Sequence, residues 1–211
     1  MPRKIFLLLV LVVVGCAPTI VRVPLDKTLG LETFSNIGTM ERKNISIGLY
    51  IGPKLKNLAL ASKVTVGAYN ESEAVIYKFY VGRNFTVRLI KALAYNVNKL
   101  KLLEQPHPSA GDNLDATMIV EFQDAEIFFK DMGSSWLCES WLAVKATLKD
   151  NATGDIVWVG TTRAEDKGKY RRSALGINKT IERAVAQLVR QISESENYAK
   201  YVRIWEGRKH D

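Results

Sequence analysis

The chain is 211 residues long and carries 30 Lys and Arg against 22 Asp and Glu, with two His and two Cys. At ~100–200 residues per domain this is one domain or two small ones. A content of 47% hydrophobic and 25% charged residues excludes wholesale disorder. Two Cys supply no disulfide framework, and two His exclude a His-only tetrahedral zinc site.

The N-terminus opens with basic Arg3 and Lys4 and then ten apolar residues from Ile5 to Val14. A membrane-spanning helix needs ~20 apolar residues, so this run reads as a cleaved export signal over residues 1–15. It ends in Val13-Val14-Gly15-Cys16, which resembles the bacterial lipobox. In lipobox proteins the signal is cut before the Cys, whose thiol takes a diacylglycerol and whose amine takes a further acyl chain. Several chains on one residue give the multi-chain anchoring that one chain cannot, at ~0.8 kcal/mol per buried CH₂. Ala17, in place of the Asp that retains enterobacterial lipoproteins in the inner membrane, points to the outer membrane. Removing residues 1–15 leaves 28 basic against 22 acidic residues, a net +6 without any Lys/Arg-rich block. That surplus reads as a solubility charge, and a location outside the cytoplasm argues against nucleic acid. Acylation of Cys16 would leave Cys138 a lone thiol, expected in the core beside Leu137 and Trp141.

Residues 16–43 hold Pro18, Pro24, Gly30 and Gly38 and read as the lipidated N-terminus and its tether, with a short strand available at Thr19–Val23. A single α+β domain is expected over residues 44–205, with a polar tail at 206–211. Ile45, Ile47, Leu49 and Ile51 alternate as a strand ending at Gly52-Pro53, and residues 53–62 read as loop or turn. Val64–Val66 and Val75–Val81 form two extended runs, a hairpin around residues 70–72. Phe85, Leu89, Leu93, Val97 and Leu100 predict a helix over 85–104, N-capped by Asn84 and stopped by Pro106. Ala116, Met118, Val120 and Phe122 give a strand that Ile127–Phe129 prolong or bend. Leu137–Leu148 and Ile156–Thr162 follow as strands, joined by the turn Asp150-Asn151-Ala152-Thr153-Gly154-Asp155. Glu165–Arg172 reads as a charged loop. Ile177, Ile181, Ala184, Val185, Leu188 and Ile192 mark a second helix opening near Asn178, and the cluster from Tyr198 to Trp205 packs back on the domain. Together these elements predict a two-layer sandwich, with two helices on one face of a mainly antiparallel four- to five-stranded sheet.

Five Asn-x-Ser/Thr sequons begin at Asn44, Asn70, Asn84, Asn151 and Asn178. Glycosylation is one reading. Helix starts at Asn84 and Asn178 and a turn at Asn151 account for those three without it.

The lipobox, the proline-bearing tether, the helical segment Phe85–Leu93, the strand Ala116–Phe122, the turn Asn151–Gly154 and the helix Asn178–Ser193 follow one another as in YajG-like bacterial lipoproteins, which this chain resembles over residues 44–202. Ile177–Val185 is the closest local match. The expected fold is also similar to that of the lipopolysaccharide-assembly lipoprotein LptE. The resemblance implies an outer-membrane, periplasm-facing location and this fold; the YajG-like family brings no established active site.

Catalytic chemistry finds little footing. His107 lies between two prolines and His210 beside the C-terminus, neither placed for a Ser-His-Asp arrangement. No clustered metal ligands, EF-hand pattern or Gly-rich phosphate loop occurs, so neither a metal nor a cofactor beyond the acyl chains on Cys16 is expected. Asp124, Glu126 and Asp131 read as solvated carboxylates rather than a glycosidase pair. Trp136, Trp141 and Trp158, on neighbouring strands, could form an aromatic groove for a glycan or lipid, or simply pack the core. Lys167, Lys169, Arg171 and Arg172 form the densest basic cluster, a solvated loop or a contact for anionic lipid or glycan phosphate. The expected role is non-enzymatic: a lipid-anchored accessory or assembly factor with an envelope protein partner. The alternative is a periplasmic glycan- or lipid-binding domain.

Overall fold

The alternating apolar residues of 45–51 build strand β2 (Lys43–Ile51), whose Ile45, Ile47, Leu49 and Ile51 all face the core. The computed structural model describes residues 19–25, 42–66 and 73–208; residues 1–15, Cys16 and most of the tether lie outside them. The elements in chain order are β1 (Thr19–Val23), β2, a short helix α1 (Pro53–Lys56), β3 (Leu60–Val66), β4 (Glu73–Phe79), α2 (Val81–Asn96), β5 (Val97–Leu103), β6 (Ala116–Asp131), β7 (Trp136–Asp150), β8 (Ile156–Tyr170), α3 (Ala174–Ser193) and α4 (Glu196–Gly207).

Two sheets form, with strand orders β1-β4-β3 and β5-β2-β6-β7-β8. Both are mixed rather than mainly antiparallel. β2 pairs in parallel with β5 and β6, and β1 in parallel with β4, while β3–β4, β6–β7 and β7–β8 are antiparallel. The long β6–β7–β8 meander extends past the end of β2, because Ile51 pairs with Val120 and the β6–β7 ladder runs on to Asp131 and Trp136. Over this distal half, Tyr77 and Phe79 of the small sheet pack against Phe129 and Trp136. The apolar stripe of α3, expected from its spacing, is fully buried from Ile177 to Ile192 and covers β7 and β8. A buried hydrogen bond of 2.7 Å between Ser140 and Thr180 pins strand to helix. One face of the large sheet thus carries α2, α3 and the small sheet.

Four sequence expectations give way to the structure. The helix expected over 85–104 starts a turn earlier, at Val81, and stops at Asn96, where the extended Val97 begins an edge strand beside β2. Asn96 donates its side-chain amide to Ala92 O at 3.0 Å within that last turn. Pairing six residues of β2 with β5 outweighs prolonging the helix, although Lys99 and Lys101 are good helix formers. Asn84 and Asn178 are accordingly not N-caps but lie inside α2 and α3. The charged loop expected at 165–172 is strand as far as Tyr170, since its charges alternate outward with Ala164 and Asp166 turned inward. The tail also shortens: α4 continues to Gly207.

The start of α2 depends on close backbone approach. A Cβ on Gly82 would lie 1.8 Å from Leu55 O, and the Gly82 amide donates to Leu58 O at 3.0 Å. At the β7–β8 turn, Gly154 takes φ +79°, which a side chain disfavours. Asn151 of that turn accepts from Thr117 Oγ1 at 2.7 Å and donates to Leu114 O at 2.9 Å, fixing the loop between β5 and β6. The C-terminal helix is tied down by Arg208, whose guanidinium donates to both oxygens of the fully buried Asp150 at 3.3 and 3.1 Å. Among the described residues no helix is long and apolar enough to cross a membrane.

Candidate functional surfaces

Among the described residues, no helix covers the second face of the large sheet. Its side chains come from the outward positions of β6, β7 and β8, and Trp141 sits at its centre between Glu126 and Glu165. The indole Nε1 donates to Asp124 Oδ2 at 2.9 Å, and the Arg163 guanidinium lies over the ring at 5.1 Å. Arg163 also meets Glu165 at 2.6 Å and Asp124 at 3.4 Å. One ring face is therefore capped by a cation, an arrangement that orients the indole edge and leaves less aromatic surface for stacking. Exposed Phe128, Ile156 and Val159 dot the same face.

The three tryptophans do not share a surface. Trp136 points to the helix-bearing face, 5.2 Å from Tyr77 and 5.1 Å from Phe129. Trp158 is in the core under α3, where a side chain on Gly160 would collide with its ring. Its partner Leu148 is twelve residues along β7 from Trp136, or about 40 Å. Trp141 alone looks out from the open face. A single groove lined by all three is not formed.

Lys167 and Lys169 project from β8, with Lys167 paired to Glu139 at 2.6 Å, and Arg171 and Arg172 are exposed in the turn before α3. Arg172 borders an open cleft of about 590 Å³ lined also by Val23, Pro24, Arg88, Asn178, Lys179 and Glu182. Arg88, 3% exposed, donates to Asn178 O at 3.1 Å and Asn178 Oδ1 at 3.2 Å and lies 3.9 Å from Glu182. The sequence held a signal for it: a charged residue three after Phe85, on the apolar side of its helix. Asp124 and Arg163, by contrast, join Trp141 only through strand register.

Beneath α3, Cys138 is fully buried, and burial pushes its thiol up to about 11, so it is a packed thiol rather than a nucleophile. Nearby Tyr170, raised to about 12 by burial and by the Asp166 carboxylate, donates its hydroxyl to Asp166, which also receives Arg183 at 3.0 Å. These groups are a closed polar network. His107 borders a shallow recess of about 520 Å³ with Glu121, Thr147 and Lys149; no Ser or Cys lines it. Among the described residues no group of three His, Cys, Asp or Glu comes together to hold a metal. Cys16, the expected lipidation site, lies outside the described residues.

No family model matches the sequence, and no curated protein matches it. Several solved structures overlap in part. A Xanthomonas campestris protein of the DUF330 family gives a TM-score of 0.48 at 10% identity, covering 82% of this chain and 91% of that one. PelC from Paraburkholderia phytofirmans, a dodecamer, gives 0.40 at 12% identity over 72% and 89%. Lipoprotein GNA1162 from Neisseria meningitidis gives 0.34 at 12% over 71% and 99%. Overlaps this loose transfer no role from those proteins to this one.

Proposed function

We propose that this chain is a non-enzymatic bacterial lipoprotein. It is exported, cut before Cys16, acylated there and held on the periplasmic side of the outer membrane, where it serves as an accessory or assembly factor through protein contacts. One observation carries the reading: a basic and apolar leader ending in Gly15-Cys16 is followed within three residues by a strand of the folded domain. The lipid confines the domain to a surface and raises its effective concentration for membrane-bound partners. The open sheet face around Trp141, with exposed Phe128 beside it, is the surface for such a partner. A glycan- or lipid-binding groove lined by the three tryptophans gains no support from their placement.

Palmitate labelling of the wild type and of Cys16→Ser tests the anchor: label in the wild type alone, recovered with outer membranes, is expected. An unlabelled wild type would refute it. A photo-crosslinking residue at Trp141 should capture an envelope protein that one at exposed Lys200 of α4 does not; equal capture at both sites, or none, removes the partner role.

A further inference from the structure

The path from Cys16 to the fold is short. β1 starts three residues later, at Thr19, and three residues reach at most ~11 Å whatever their conformation. Val21 of β1 pairs with Tyr77, whose ring meets Trp136 at 5.2 Å, and Trp136 pairs across the sheet with Asp131 and Tyr170. One step further from the anchor, Val23 pairs with Phe79, which meets Phe129 instead. Walking back along β1 toward Cys16 therefore leads toward the β6–β7 tip and the turn after β8.

We infer that this distal end is a membrane-contact surface for the phosphate groups of anionic phospholipids in the bilayer that holds Cys16; the inference rests on acylation of Cys16. Exposed Lys130, Lys169, Arg171 and Arg172 supply the cations there. Among the described residues, three nearby acids have partners: Asp131 Oδ1 accepts from the Gly133 amide, Glu139 pairs with Lys167, and buried Asp166 holds Arg183 and Tyr170. Ile20 and Met132, 61% and 45% exposed, add apolar side chains of the kind that enter the headgroup region. Positive charge, apolar tips and an anchor at one end of the domain match the negative, amphiphilic surface of a bilayer.

The test uses the chain lacking residues 1–15 and carrying Cys16→Ser, floated with vesicles of phosphatidylcholine alone or with phosphatidylglycerol added at low salt. Binding to the phosphatidylglycerol vesicles only is expected. Joint replacement Lys130→Glu, Lys169→Glu, Arg171→Glu and Arg172→Glu should lower the partition about a hundredfold or more. Lys145→Glu with Lys149→Glu, at the other end of the sheet, should leave it unchanged, both variants melting as the parent chain does. Equal flotation with both vesicles, or no response to the distal reversals, overturns the inference. So does self-association that the distal reversals abolish, which would assign the surface to a second copy. If the wild type takes up palmitate while the Cys16→Ser chain ignores phosphatidylglycerol, the anchor stands and the contact surface falls. A wild type without palmitate overturns both.

Discussion

Replacing Gly82 with Ala probes the contact that fixes where α2 begins. The added Cβ would lie 1.8 Å from Leu55 O and 2.9 Å from Lys56 O, both backbone atoms with no rotamer to yield. Reaching an ordinary separation of about 3.5 Å would push α1 and α2 apart by roughly 1.7 Å. Leu55, Val81 and Phe85, all fully buried, would lose contact with one another. Overpacking costs ~1–3 kcal/mol and loss of the Gly82–Leu58 hydrogen bond ~1 kcal/mol, against a gain of ~1 kcal/mol in helix propensity. The net expectation is a loss of about 1–3 kcal/mol, or roughly 2–12 °C in Tm for a chain of this size. Thermal unfolding followed by circular dichroism reads it directly. Gly207→Ala, with nothing within 4 Å of the new methyl, serves as the control and should keep stability or raise it by up to ~1 kcal/mol. A Gly82→Ala protein that melts with the parent would refute the reasoning.

Arg208→Ala should cost about 2 kcal/mol, an upper figure given that the Arg208 side chain is 40% exposed while Asp150 is fully buried. Burial alone would raise the Asp150 carboxyl, but Arg208, the Ala152 amide and Trp205 outweigh it and hold it below the usual range. The native pKa being depressed, this contribution is present at neutral pH and disappears as the pH falls below about 4, so denaturant midpoints of wild type and variant should converge there. A constant gap from pH 7 into acid would contradict the assignment. Asn151→Ala, which frees both Thr117 and Leu114, should destabilise by ~1–2 kcal/mol and speed amide exchange in the loop between β5 and β6; unchanged exchange would show that the loop is held otherwise. Cys138 should react with a thiol reagent at pH 8 only in denaturant, and rapid native-state reaction would contradict its burial.

Elements with one dominant period were legible in the sequence. Ile45–Ile51, the α3 stripe and the turn at Asp150–Asp155 form where their patterns place them, because burial and local turn chemistry favour the same outcome. Val97–Leu103 was not legible: its apolar residues fit a helical stripe, and the bare edge of β2 that recruits it exists only in three dimensions. Counting charges likewise hid the alternation of Arg163–Tyr170 that prolongs β8. The early parallel pairing of β1 with β4 links residues more than fifty apart in sequence, beyond any local rule. For the candidate surfaces, residue types were visible but neighbours were not. Register puts Trp141 with Asp124 and Arg163, and distributes the other tryptophans to the opposite face.

The parallel pairing of β1 with β4 also has a mechanical consequence. In a chain anchored through Cys16, tension between bilayer and domain is applied to the Thr19 end of β1, and its effect depends on the angle of the pull. A pull along the strand axis would load the hydrogen bonds of the five paired positions, Thr19 to Val23, in shear, so that they have to fail together. A pull perpendicular to that axis would instead open the ladder from Thr19 one rung at a time, so this short segment holds most firmly when drawn out along its own length.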